Sequence, residues 1–141
     1  FIALSILILL TKQIFAINYC PQVSAIKCDI KNGTCQLPSQ YKNWQIVNHV
    51  LLDGQLLTAF SNASIFNDRD YEGTFGVVEC FYSGPDHASV ELKTRTTKNK
   101  QFFFPHKSGN WNETAEPNSL SYYNCIANNP KSCGFTEASA K

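Results

Sequence analysis

Residues 75–96 read Phe75-Gly-Val-Val-Glu-Cys-Phe-Tyr82, then Ser-Gly-Pro-Asp-His, then Ala88-Ser-Val-Glu-Leu-Lys-Thr-Arg-Thr96. In the second run Val, Leu and Thr at positions 90, 92 and 94 alternate with charged residues at positions 91, 93 and 95. Alternation with a period of two is typical of a β-strand with one buried and one solvated face. Because a Gly-Pro turn joins the two runs, residues 75–96 are predicted to form an antiparallel hairpin.

The surrounding sequence adds further strand signals. Residues 44–52 and 55–60 are apolar-rich runs joined by Asp53-Gly54, a dipeptide typical of a two-residue hairpin turn. Residues 101–104 form another short run, which Pro105 ends. From residue 107 onward the composition becomes polar, and we expect an irregular segment held down by Trp111 and the last two cysteines. Five or six strands without an amphipathic helix predict a mostly β fold, a small antiparallel β-sandwich or open barrel.

The N-terminus has the pattern of an export signal. Residues 1–10 are almost entirely apolar, Thr11-Lys12-Gln13 interrupts them, and Ala16 is a small residue suited to cleavage. A ten-residue helix is about 15 Å long, half of a bilayer core of about 30 Å, so it cannot span a membrane. We predict a helical, N-terminally truncated signal peptide at 1–16, one disulfide-linked β domain at 17–135 and a frayed tail at 136–141. The alternative for residues 1–16 is a buried helix.

Composition limits the range of partners. The chain has 141 residues, of which 43% are hydrophobic and 16% charged, so it is long enough for one packed domain. Without Lys12, the only charged residue of the predicted signal, positive and negative charges balance. A neutral domain gives no electrostatic reason to bind nucleic acid or an anionic membrane. We therefore expect no nucleic-acid partner and, once the signal is cleaved, no stable membrane span.

All six cysteines follow the predicted signal, which is typical of a disulfide framework in an exported protein. Six cysteines allow fifteen pairings, and spacing alone does not select one. Asn32-Gly33 predicts a two-residue turn that places Cys28 and Cys35 on one face as a diagonal pair. Metal binding is the alternative, but the Cys-x2–4-Cys spacing of zinc sites is absent. The favoured pairs, in order of expected reliability, are Cys125–Cys133, Cys20–Cys80 and Cys28–Cys35.

Motifs that carry catalysis are absent from the sequence. It contains no Gly-x-Ser-x-Gly, no His-Glu-x-x-His, no phosphate loop and no dinucleotide fingerprint. A metal site would require the histidines to converge with the acids of segment 68–72, and no spacing enforces that convergence. We therefore expect no catalytic residue, no metal and no cofactor. The histidines are His49, His87 and His106, and the acids of segment 68–72 are Asp68, Asp70 and Glu72.

Aromatic residues offer the main candidates for an interaction surface. Phe102, Phe103 and Phe104 are consecutive, and neighbours in a strand face opposite sides. The run is therefore either a strand buried on both faces or an exposed aromatic patch for a partner. Trp44 and Trp111 are assigned to the fold, where each large ring can cover part of the core.

Several short motifs resemble one family of exported proteins. They are Cys20-Pro21, Trp44, Val78-Glu-Cys-Phe-Tyr82, Trp111 and the run from Cys125 to Cys133-Gly-Phe135. In this order they resemble the LirB-like, type IV secretion-associated proteins of gram-negative intracellular bacteria. The resemblance implies a periplasmic or secreted, disulfide-linked small β domain, and it transfers no active site. Gly134 departs from the family pattern, in which Pro is expected between Cys and Phe.

Three functions are compatible with these observations. We expect an exported, non-enzymatic protein that binds a protein partner at the bacterial envelope or in a host, in association with a secretion system. The alternative is an extracellular carbohydrate-binding or hydrolase β domain that uses Trp44, Trp111 and Tyr122 or Tyr123 as stacking surfaces. A eukaryotic secreted glycoprotein is a third hypothesis, based on three acceptor sequons that begin at Asn32, Asn62 and Asn112.

Overall fold

Strands and short turns of 3-10 helix make up the regular structure of the protein. The computed structural model describes residues 16–29, 31–51, 57–67, 75–95, 101–115 and 121–139. The strands are β1 (Ile17–Asn18), β2 (Lys27–Asp29), β3 (Thr34–Gln36), β4 (Trp44–Val50), β5 (Ala59–Asn67), β6 (Phe75–Ser83), β7 (Ser89–Thr94), β8 (Gln101–Pro105), β9 (Trp111–Ala115), β10 (Ser121–Ile126) and β11 (Phe135–Ser139). The 3-10 turns are Val23–Ala25, Ser39–Tyr41, Pro85–His87 and Pro130–Ser132. Of the predicted signal peptide, only Ala16 lies within the described residues.

The largest sheet has six antiparallel strands in the order β4-β7-β6-β5-β10-β9. The hairpin predicted over residues 75–96 is confirmed as β6 and β7, with Cys80 directly opposite Leu92. Its turn contains Asp86 and His87, both with positive φ angles. The predicted alternation is also confirmed, because the side chains at 90, 92 and 94 are buried while those at 91 and 93 are half-buried on the other face.

The hairpin predicted over residues 44–60 is wrong. Strand β4 pairs with β7 at the edge of the sheet, whereas β5 lies between β6 and β10. Strands β5, β6 and β7 form a meander and β4 lies beside the last of them, which is a Greek-key order. Burial explains the difference. Phe60, Ala63 and Ile65 of β5 are buried and suit the centre of the sheet, while residues 47–50 of β4 are all exposed and suit an edge.

A second antiparallel sheet, in the order β1-β11-β8, packs against one face of the six-stranded sheet. Phe135 of β11 lies at the contact. Its ring meets the rings of Trp44 and Phe103 edge to face, with centroid distances of 6.2 Å and 5.5 Å. Buried side chains from both sheets form one core. The predicted β-sandwich is therefore confirmed, and the sheets do not close into a barrel.

The C-terminal third is more regular than the sequence predicts. Strands β9, β10 and β11 replace the irregular segment expected after residue 107. Residues 136–139, predicted to fray, pair with 101–104 of β8. These strands escape detection because each supplies few apolar residues to the core, chiefly Tyr123, Cys125 and Phe135. Pairing with a neighbouring strand, rather than apolar periodicity, holds them in place.

The structure forms three disulfide bonds, between the pairs that the sequence analysis favoured. They are Cys20–Cys80, Cys28–Cys35 and Cys125–Cys133. The first ties the N-terminal segment to central strand β6, and both of its cysteines are buried. Chain-entropy arguments attribute about 4 kcal/mol to a bridge that closes a loop of this length, before any strain.

The register of the Cys28–Cys35 hairpin differs from the predicted one. The two cysteines lie directly opposite each other rather than diagonally, because the turn is longer than the Asn-Gly dipeptide. The carboxylate of Asp29 accepts hydrogen bonds from the backbone N–H of Lys31 (2.9 Å) and from Nδ2 of Asn32 (2.7 Å). Hydrogen bonds from the backbone two residues later to an Asp side chain stabilise a turn. Gly33 completes it with a φ angle of 61°.

Both tryptophans pack against the core, as predicted. Trp111 is half-buried, and its indole N–H donates to the carbonyl oxygen of Gly134 at 2.7 Å. This bond joins β9 to the segment that precedes β11. A side chain at Gly109 would place its Cβ 2.6 Å from Cδ1 of Trp111, so this position requires glycine for the ring to occupy its site.

Tyr82 makes the second link between β6 and the N-terminal segment. Its side chain is almost fully buried, and its hydroxyl donates to the carbonyl oxygen of Pro21 at 2.6 Å. Burial, together with the nearby Tyr41, raises the pKa of Tyr82 far above its ordinary value, so the hydroxyl remains protonated. The disulfide at Cys80 and this hydrogen bond therefore hold consecutive residues, Cys20 and Pro21.

Replacing Tyr82 by Phe should lower the free energy of unfolding by about 1–3 kcal/mol, because the buried carbonyl of Pro21 loses its donor. Urea unfolding with disulfides intact measures the change. Tyr123→Phe is the matched control, and we expect a smaller loss there because Tyr123 is only half-buried and water can replace its partners. Equal stability of Tyr82→Phe and the unmodified protein would contradict the assigned role of this bond.

Candidate functional site

Each strand of the six-stranded sheet presents alternate side chains to the core and to the opposite face. We call the opposite face the outer face. Along β6, Val78, Cys80 and Tyr82 point into the core, whereas Glu79 and Phe81 lie on the outer face. The outer face therefore consists of the residues that alternate with the buried apolar residues along each strand.

One level of the outer face carries a polar residue from every strand of the sheet. From one edge to the other these residues are Asn112, Asn124, Ser64, Glu79, Lys93 and Gln45, and we call them the polar row. Each lies directly opposite the next, which places neighbouring Cβ atoms about 5 Å apart. Five strand spacings of about 4.8 Å give the row a length of about 24 Å.

Hydrogen bonds order the part of the row on β5 and β10. The hydroxyl of Ser64 donates to Oδ1 of Asn124 at 3.2 Å, and Nδ2 of Asn62 donates to the same oxygen at 3.4 Å. Ser64 is only 5% exposed and therefore lies beneath these amides. Ser61 donates to the carbonyl oxygen of Phe81 at 3.0 Å. Among the described residues, no buried side-chain polar atom lacks a hydrogen-bond partner.

Two carboxyl groups meet in the middle of the outer face. Glu79 lies diagonally across from Glu91, with which it shares a hydrogen bond, and 4.0 Å from Nζ of Lys93. Burial of the carboxyl group, followed by the charge of Glu91 and a hydrogen bond to Glu91, raises the pKa of Glu79 to about 7, against the opposing charge of Lys93. Glu79 therefore retains its proton at pH values at which an exposed Glu has lost it.

The next level of the outer face mixes polar and apolar side chains. Across five strands it carries Ile126, Asn62, Phe81, Glu91 and Asn48. Ile126 is 74% exposed, the largest value among the exposed large apolar side chains of the described residues. This level therefore places one exposed apolar side chain beside amide and carboxyl groups.

A cleft near the other edge of the molecule is a second candidate site. Strand β3, the segment 37–42 and the start of β4 surround a space of about 390 Å³, and Arg95 closes one side. Trp44 lines this cleft and also a smaller adjoining one that includes Phe135 and Glu137. The indole ring therefore separates two concave surfaces.

Phe102, Phe103 and Phe104, the predicted aromatic surface, do not form one exposed patch, because consecutive side chains of a strand lie on opposite faces. Phe103 is half-buried and packs on Phe135, whereas Phe104 is 41% exposed. The side chain of Phe102 lies outside the described part of the structure. The proposal that this run binds a partner stays a prediction.

Candidate metal-binding residues do not come together in the described part of the chain. No group of three His, Cys, Asp or Glu side chains there could hold a metal ion. His49 and His87 are exposed, and His106 is half-buried beside Ser108, whose hydroxyl meets its Nδ1 atom. Asp68, Asp70 and Glu72 lie outside the described residues.

Aromatic residues proposed to stack on sugars differ in their surroundings. Trp111 is fixed by its bond to Gly134, and Tyr123 is half-buried against the core. The side chain of Tyr122 is not among those described. Trp44 lines a cleft.

Sequence reasoning missed the polar row. The alternation at residues 89–95 already placed Glu91 and Lys93 on a solvated face, and this was the available signal. The partners of these residues come from strands more than ten residues away, and Ser64, Asn112 and Asn124 are ordinary loop residues by type. Their alignment depends on the strand register, which local patterns do not specify.

The fold defines the protein as a small, disulfide-linked antiparallel β-sandwich with one polar sheet face. Residues 15–136 match a family described as proteins of unknown function, DUF3757, and the protein belongs to this family. No curated protein matches the chain, and no solved structure does.

Glu79→Gln should make stability less dependent on pH. The pKa of Glu79 is 4.5 in its ordinary state and about 7 in the folded protein, so the folded state retains a proton that the unfolded chain has lost between these values. Stability from this group is complete below about pH 4.5 and is lost as the pH rises through 7. Glutamine stays neutral and should remove a loss of about 1–2 kcal/mol, a value reduced for solvent screening.

Urea unfolding at pH 5 and pH 8 measures this effect. Glu113→Gln, an exposed position on strand β9, is the matched control and should follow the unmodified protein. The assignment fails if Glu79→Gln loses as much stability between the two pH values as the unmodified protein does.

Proposed function

We propose that this protein is an exported, non-enzymatic binding protein that holds a protein partner on the outer face of its six-stranded sheet. The observation that carries the proposal is the polar row, one polar side chain from each of six strands, with hydrogen bonds between Ser64 and Asn124 and an ion pair between Glu79 and Lys93. The partner meets the protein at the bacterial envelope or in a host cell.

The size of the outer face favours a protein as its partner. The polar row is about 24 Å long, and the mixed level beside it lies about 7 Å away, two residues along each strand. A standard protein interface covers about 800 Å² on each partner, which corresponds to a patch about 28 Å across. The row alone therefore spans most of the width of such an interface and exceeds the reach of a small ligand.

The carboxyl pair supports binding rather than hydrolysis. Glycoside hydrolases keep their two carboxyl groups about 5 Å or more apart, so that the sugar lies between them. Glu79 and Glu91 instead share a hydrogen bond. A hydrogen-bonded pair differs from the separated carboxyl groups of a glycoside hydrolase, which favours binding in this proposal.

Export is supported by the cysteines. Three disulfide bonds indicate that the protein folds in an oxidising compartment, the periplasm or the cell exterior. The apolar segment 1–10 and Ala16 supply the signal in this proposal. Association with a type IV secretion system is part of the proposal and is supported by the resemblance at Cys20-Pro21, Trp44 and the Cys125–Cys133 region. No helix in the described part of the chain has the length and apolar character needed to cross a bilayer.

Export should remove residues 1–16. The chain, expressed behind a start methionine in a gram-negative bacterium, should appear in the periplasm or medium with an intact mass that begins at Ile17, within a couple of residues. The same host lacking a functional type IV secretion system, compared with the parent, tests the secretion link. Retention of Phe1 in the exported protein would contradict cleavage.

Ile126→Asp should reduce partner binding at least tenfold, because it places a charge in the apolar part of the proposed interface. At 74% exposure the change should leave stability nearly unaltered. A photo-crosslinking amino acid at position 112 of the exported protein reports the partner as an adduct of higher mass.

Phe104→Asp is the matched control, since it also adds a charge at an exposed apolar position but lies on the second sheet. Loss of the adduct in Ile126→Asp and its persistence in Phe104→Asp would support the outer face. The reverse result would assign binding to the aromatic run 102–104 and overturn the proposal.

A further inference from the structure

The cleft beside Trp44 has the chemistry of a site for an anion. Lys42 and Arg95 line it, and no acidic side chain does. Glu137 lines the smaller adjoining cleft, which Trp44 also lines. The domain as a whole is neutral, so two cations around one concave surface are a local excess of positive charge.

Arg95 is held in place by the backbone of the neighbouring edge strand. Its Nε donates to the carbonyl oxygen of Trp44 at 3.2 Å, and its backbone N–H donates to the carbonyl oxygen of Asn43 at 2.7 Å. Fixing Nε orients the planar guanidinium and leaves its terminal N–H groups directed away from that bond. A guanidinium fixed in this way matches the two oxygens of a carboxylate.

The ring of Trp44 is fixed in position, but its indole N–H makes no hydrogen bond to the described residues. Its ring packs edge to face on Phe135, which fixes its orientation. Its indole N–H has no acceptor among the described residues, in contrast to that of Trp111, which is bonded to Gly134. The ring lines both clefts, where the N–H can meet an acceptor group of a ligand.

The remaining lining residues indicate which kind of anion fits. Gln36, Ser39 and Tyr41 add an amide and two hydroxyls to the aromatic ring and the cations. An aromatic face suits the C–H face of a sugar ring, amides and hydroxyls suit its hydroxyl groups, and Arg95 suits a carboxylate. A volume of about 390 Å³ falls in the range of about 300–1,000 Å³ that is usual for small-ligand sites.

We propose that the cleft bounded by Trp44, Lys42 and Arg95 binds an acidic saccharide, with the carboxylate of a uronic acid residue on Arg95 and the sugar ring on Trp44. This site is separate from the central part of the outer face. The inference therefore stands whether or not the outer face binds a protein partner.

Digalacturonic acid is the probe, and digalactose is its neutral counterpart. The two indole N–H signals of the ¹⁵N-labelled protein report binding, because only Trp44 and Trp111 contribute to them. The acidic disaccharide should shift the Trp44 signal with a Kd of about 1 mM or lower, should leave the Trp111 signal in place, and should bind at least tenfold more tightly than digalactose.

Variants separate the cleft from non-specific charge effects. Arg95→Gln and Lys42→Gln should each weaken binding of the acidic disaccharide about tenfold, whereas Lys131→Gln, an exposed position that does not line either cleft, should not. If Arg95→Gln fails to fold, Lys42→Gln decides, because Lys42 is exposed and its side chain makes no hydrogen bond or ion pair within the described residues.

Three results would overturn the inference. They are the absence of a Trp44 shift at about 10 mM digalacturonic acid, equal shifts at both indoles, and an equal response to acetate, which would show a site for a small anion rather than for a saccharide.

Discussion

The alternation of side chains along strand β6 is the constraint on which the rest of the structure depends. On the core side, Cys80 and Tyr82 bind Cys20 and Pro21, so one short stretch of β6 holds both of these residues. On the other side, Glu79 lies between two strands and joins the halves of the polar row. A shift of β6 by one residue would exchange these roles, exposing the disulfide and burying the carboxyl group. Packing and the proposed binding surface are therefore specified together.

The sequence allows prediction of those elements whose signals are local. The 75–96 hairpin shows its alternation and its turn within 22 residues, and the cysteine pairs follow from hairpin spacing and elimination. The pairing partner of β4 was not predictable in this way. Asp53-Gly54 favours a hairpin between β4 and β5. Only the competition between strands for central positions in the sheet favours the observed order, with β5 inside and β4 at the edge. Strand β10 was missed since only the half-buried Tyr123 and the buried Cys125 pack on the core, and two such side chains give no recognisable period.

The candidate sites were less accessible to sequence reasoning than the fold. The polar row brings together single polar residues from six strands, each unremarkable in its own segment, and the Trp44 cleft combines a loop, an edge strand and the end of β7. Aromatic content drew attention to Phe102–Phe104, where one ring proves to belong to the core. The proposed sites depend on the alignment of strands, whereas the sequence shows most clearly which residues are buried.

The small β2–β3 hairpin has a consequence for how the chain reaches its correct covalent state. A chain that enters an oxidising compartment with its N-terminus first exposes Cys20, Cys28 and Cys35 well before Cys80 arrives. Cys20 could then be captured by either neighbour and would be lost to β6. The turn at Asp29, Asn32 and Gly33 places Cys28 directly opposite Cys35, so this pair can close locally before Cys80, sixty residues from Cys20, is available. Once Cys28 and Cys35 are bonded to each other, Cys20 has no nearby thiol to pair with. It therefore remains free to form its disulfide with Cys80.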